Sequence, residues 1–98
     1  MRDLIARAIG DRLVLTVNYP PGIRTIEPHA LGVSSTGNLL LRAYQTGGAS
    51  SSGEHEWWKL LRLDRLISVD LQGSSFGGPR PEYKQGDKAM VGGIIRQL

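Results

Sequence analysis

The chain reads as all-β: a small, strongly bent antiparallel barrel of five short strands behind one short N-terminal helix. Three observations lead there. Runs of β-branched and large apolar residues alternate at period two, Gly, Pro, Ser and Asn clusters separate them at close spacing, and helical spacing occurs only in the first ten residues. With 98 residues and 10.7 kDa, there is room for one compact core and no deep enclosed active site.

Each element has its own local reason. Leu4, Ile5, Ala8 and Ile9 share one helical face, and Gly10 offers a left-handed stop. Leu13, Leu15, Val17 and Tyr19 line one side of a strand that Pro20-Pro21-Gly22 ends. A second strand runs from Arg24 to Val33, with Pro28 marking a bulge, an edge or a break because proline cannot donate to a ladder. The turn cluster Ser34 to Asn38 leads to a third strand, Leu39 to Thr46. Gly47 to Gly53 is a serine-rich tip, and the fourth strand begins near Glu56 and runs through Leu63. A one-turn break at Asp64-Arg65-Leu66 precedes a short fifth strand, Ile67 to Leu71. The domain is therefore 1–71, and 72–98 is an extension: a loop rich in glycine and proline, then the apolar run Ala89 to Ile95.

Composition removes several classes of function. There is no cysteine, which excludes disulfide scaffolds, thiolate metal sites and cysteine nucleophiles. No serine sits in a Gly-x-Ser-x-Gly elbow, only His29 and His55 are available as histidine bases, and no glycine pattern forms a phosphate cradle. In an extended Glu54-His55-Glu56 the histidine points away from both carboxylates, so no metal is expected there, and no cofactor elsewhere. An enzyme is not expected. No apolar run spans a membrane and none reads as a secretory signal, so the expected address is cytoplasmic.

The formal charge of +3 is mild, and nine of the twelve basic residues are arginine. Leu40, Arg42 and Tyr44 alternate onto one face of the third strand, and Trp58, Leu60 and Arg62 share a face of the fourth. If the strands pair with Arg42 and Arg62 on the same side, guanidinium forks and rings become neighbours. That combination suits a carboxylate or phosphate with a stacked base. Arg65 would extend the patch. The bland alternative is that Arg62 and Arg65 pair with Asp64, Asp70 or Glu27 and brace the barrel.

The order of motifs also resembles a known family. Tyr19 is followed by Arg24-Thr25-Ile26-Glu27-Pro28, then Gly37-Asn38-Leu39-Leu40-Leu41-Arg42-Ala43-Tyr44, then Leu61-Arg62-Leu63-Asp64-Arg65-Leu66. This succession resembles the WYL-domain family, whose Phe-Arg-Leu-Asp-Arg-Ile run the last segment matches with apolar swaps. The naming Trp-Tyr-Leu triplet falls on Leu39-Leu40-Leu41, and Lys59 stands where the family has an arginine. The resemblance implies an SH3-like (Sm-like) barrel used in bacterial transcription regulation, here as a stand-alone copy without the winged-helix and C-terminal extension domains. The expected function is a non-enzymatic module binding a nucleotide or single-stranded nucleic acid. Its ligand-binding residues would be Arg42, Tyr44, Trp58, Lys59, Arg62 and Arg65. The alternative is a protein-interaction module using a sheet edge and the Ala89–Ile95 segment, as a homodimer or with a partner protein that supplies an output domain.

Overall fold

A computed structural model describes residues 1–98. Helix α1 (Arg2–Asp11) is followed by strands β1 (Leu13–Tyr19), β2 (Gly22–Val33), β3 (Leu39–Gly48) and β4 (Trp57–Arg62). A 3-10 turn, Leu63–Arg65, leads into β5 (Ser68–Ser75), and β6 (Gly93–Gln97) closes the sequence of elements. The strands form a single antiparallel sheet in the order β4-β3-β2-β1-β5. β6 is a sixth strand, one more than the sequence indicates, and it pairs with the second half of β2.

That extra pairing is possible because β2 bends. Its first half, Gly22 to Ile26, pairs with β1, and Ala30 to Val33 pair with β6. The register against β3 slips between Pro28 and Ala30, where proline has no N–H to give the ladder. Because 93–97 join the sheet and β5 runs on to Ser75, residues 72–98 belong to the same unit rather than forming an appendage.

The inner face carries the period-two stripe expected of β1. Leu15, Val17 and Tyr19 pack with Ile26, Leu31, Leu41, Ala43 and Leu61, and α1 adds Ile5, Ala8 and Ile9. The helix stops two residues later than its glycine suggests: Arg12, at φ 55°, takes the left-handed position. Gly10 has another task. The Cζ of Arg96 in β6 lies 2.7 Å from where a Cβ at Gly10 would sit, so the missing side chain lets the guanidinium lie on the helix. No helix is long and apolar enough to cross a membrane.

The outer face is covered as well. Residues 76–92 form an irregular strap across β2, β3 and β4, and a smaller core of Ala30, Leu40 and Met90 lies beneath it. This explains why every residue of β2 from Ile26 to Gly32 is buried: one face meets the helix side and the other meets the strap.

Candidate functional site

β3 and β4 pair with Tyr44 opposite Trp58, Arg42 opposite Leu60 and Leu40 opposite Arg62. The alternation therefore holds, and Arg42 and Arg62 do project from the same side of the sheet. Their surroundings then diverge, and the six residues chosen from sequence fall into three places.

Arg42, Tyr44 and Trp58 lie under or beside the strap. The Arg42 Nε donates to Asp87 Oδ2 at 2.6 Å and its Nη2 to Oδ1 at 3.3 Å, a bidentate fork. That fork and the guanidinium charge hold the Asp87 carboxyl below its ordinary pKa. Arg80 places its guanidinium 4.6 Å from the centre of the Tyr44 ring and grips buried Glu27 through two bonds of 2.7 and 3.0 Å. Trp58 stands near-parallel to Tyr83, with ring centres 6.0 Å apart, and its indole N–H donates to the Pro81 carbonyl at 3.2 Å.

His29, fully buried, is the hub of this outer cluster. Its ring meets Trp58 edge-on at 4.7 Å, Phe76 in a stack at 5.5 Å and Tyr83 at 5.1 Å. Nε2 accepts the Arg80 backbone N–H at 3.0 Å, so Nδ1 carries the proton and donates to the Glu27 carbonyl at 2.8 Å. Burial pushes the pKa of this imidazole down.

Lys59 points to the opposite face, across from Ala43, and its ammonium donates to Ser50 and Ser52 Oγ at 3.1 Å each. It folds the serine tip back onto the sheet. The tip is closed further by His55, whose Nδ1 lies 2.7 Å from the Gly48 carbonyl, which gives Glu54-His55-Glu56 a structural task.

Arg62 and Arg65 sit at the remaining place, the end of β4 beside Tyr19. Arg62 is an exposed guanidinium held by Asp64 at 2.6 Å, and that bond raises its pKa. Arg65 has no carboxylate within salt-bridge distance, and its Cζ lies 5.4 Å from the centre of the Tyr19 ring.

Sequence reasoning missed the residue next to it. Arg24 is 3% exposed, on the inner face opposite Val17, with its Cζ 5.0 Å from the same Tyr19 ring. Its partners are all neutral: the Tyr19 carbonyl at 3.2 Å, the Pro20 carbonyl at 2.6 Å and Gln45 Oε1 at 3.3 Å. Burial lowers its pKa, and the Arg65 charge pushes the same way. Two guanidiniums thus share one ring with no acid between them. The signal for Arg24 was present: it stands two residues before Ile26 and faces the same way, an arginine on an apolar stripe.

No protein-family model, curated protein or solved structure matches the chain.

The site's chemistry therefore rests on its own residues. The Tyr19 end offers one exposed guanidinium without a carboxylate, Arg65, a second positive charge behind it and a phenol ring that fixes both. Such an arrangement attracts an anion and presents the flat face of Arg65 for stacking.

Proposed function

We propose that this protein is a non-enzymatic, cytoplasmic binding module for an anionic ligand, a nucleotide or single-stranded nucleic acid, with Arg65 at the centre of its site. One observation carries the reading: Arg24 and Arg65 flank Tyr19 without a carboxylate, whereas Arg42, Arg62 and Arg80 each have one. Arg65 supplies the direct bidentate contact to a phosphate and a stacking plane for a base. Arg24 is too deeply placed to touch the ligand and contributes through its charge, which low-dielectric surroundings screen weakly. Arg62 flanks the site and can exchange Asp64 for phosphate. The resemblance to the WYL-domain family supports the same ligand class.

The test is fluorescence anisotropy of a labelled single-stranded DNA oligomer at low and near-physiological salt, with a mononucleotide as competitor. Saturable binding that weakens with salt and falls at least about tenfold in Arg65→Ala is expected. Equal binding by the variant, or none at low salt, would overturn the reading.

A second reading, a partner-binding or oligomerisation module, is favoured by a different observation. The strands with a free edge are β4, β5 and β6, and Ile67, just before β5, is 66% exposed. The Ala89–Ile95 segment is divided: Met90 and Ile95 pack within the chain, while Val91 and Ile94 stay exposed and would serve the same reading. A concentration-dependent sedimentation coefficient that Arg65→Ala leaves unchanged would support this second reading.

A further inference from the structure

Between the strap and the outward face of β3 and β4 lies an open pocket of about 470 Å³, within the range of small-ligand sites. Trp58 and Tyr83 supply its aromatic wall, and Lys84 and Lys88 stand at it without a carboxylate in salt-bridge distance. Glu82 also lines it, held at φ 76°, a left-handed conformation that side-chain-bearing residues avoid. The strained residue separates Pro81, which receives the Trp58 N–H, from Tyr83, which lies against the Trp58 ring. Backbone strain retained beside a concave, partly aromatic surface supports reading that surface as a site.

We infer that this pocket is a second binding site, separate from the Tyr19 end, for a nucleoside monophosphate. Asp87 already fills the Arg42 fork, so the planar geometry suited to a carboxylate is taken. What remains are two ammoniums, compact point charges that suit a phosphate dianion. Trp58 and Tyr83 offer the base a stacking surface. Glu82, the remaining unpaired carboxylate of the lining, accepts hydrogen bonds from ribose hydroxyls. Phosphate, base and sugar each then have a matching group, and the inference does not depend on ligand binding at Arg65.

Trp58 makes the site observable, since the Tyr19 end has no tryptophan. In a Trp57→Phe background, adenosine 5′-monophosphate should quench Trp58 fluorescence saturably. Adenosine and inorganic phosphate should each need at least tenfold higher concentration. Lys84→Ala with Lys88→Ala, two substitutions of unpartnered side chains, should raise the Kd at least tenfold, and Arg65→Ala should leave it unchanged. Absence of saturable quenching at millimolar nucleotide, or an unchanged Kd in the double lysine variant, would overturn the inference. So would loss of quenching in Arg65→Ala alone, which would leave the Tyr19 site standing and remove this one.

Discussion

Two clusters of arginine and aromatic side chains occupy this sheet, and they are built to opposite rules. On the outer face the two arginines at the strap are each matched, Arg42 by Asp87 and Arg80 by Glu27, with His29 neutral among three rings. At the Tyr19 end Arg24 and Arg65 meet over one ring with no acid. The same residue types therefore form a brace in one place and an unfinished charge arrangement in the other. Residue type tells little about which is which; the partner decides, and the outer partners come from a strap more than twenty residues away in sequence.

The comparison can be broken most forcefully from the brace. Trp58→Ala removes the ring that touches His29, Tyr44 and Tyr83, and should cost about 3 kcal/mol in urea unfolding. Asp87→Asn unmatches Arg42 and should cost roughly 1.5–3 kcal/mol by the same measurement. Arg65→Ala should do the reverse: stability unchanged within about 0.5 kcal/mol, or slightly raised as the charge facing Arg24 disappears. A loss as large as that of Asp87→Asn would erase the distinction between the two clusters.

Acid sharpens it further. The folded-state pKa of His29 lies below its unfolded value near 6.5, so the unfolded chain takes up the proton first as pH falls. Stability from this group is complete above about pH 6.5 and declines below it. Protonation also removes the lone pair that accepts the Arg80 N–H, which loosens the strap where it crosses β2. His29→Gln should flatten the decline between neutral and mildly acidic pH in thermal melts. Asp87, also depressed, adds a second loss at lower pH, as its own folded pKa is crossed. The smallest effect should be that of salt on the folded protein: raised ionic strength screens Arg24 from Arg65 and should raise Tm by a degree or two at most.

Much of the sheet was legible because period two survives any register. Leu13, Leu15, Val17 and Tyr19 had to share a face, and so did Leu40, Arg42 and Tyr44. That Pro28 would disturb the ladder, as a bulge, an edge or a break, was legible for the same kind of local reason, and the structure has a register slip there. The strap was not, since its glycines and prolines carry no periodicity and its anchors act over long separations, Asp87 on Arg42 and Arg80 on Glu27. The glycine pair at the start of β6 is a second long-range device. In the structure Gly92 donates to the Val33 carbonyl at 2.8 Å and would set a Cβ 2.6 Å from the Ser34 carbonyl, while Gly93 sits at φ 128°. Gly92 is required by that close approach and Gly93 by its backbone conformation, and no neighbouring residue announces either. Of the site residues, Arg62 and Arg65 were legible from their run of four, while Arg24, Lys84 and Lys88 were not singled out because their significance lies in the acids they lack.

The bend in β2 has a consequence for how the protein is made. Ala30 to Val33 can pair with β3 soon after both are synthesised, but the other edge of that half-strand waits for Gly93–Gln97. A ribosome-bound chain therefore carries an unpaired strand edge through some sixty residues of elongation. The strap that covers the outer face of the same strand arrives almost as late. Assembly of this small domain is consequently governed by its last-made residues, with the slow, long-range closure typical of non-local strand pairing.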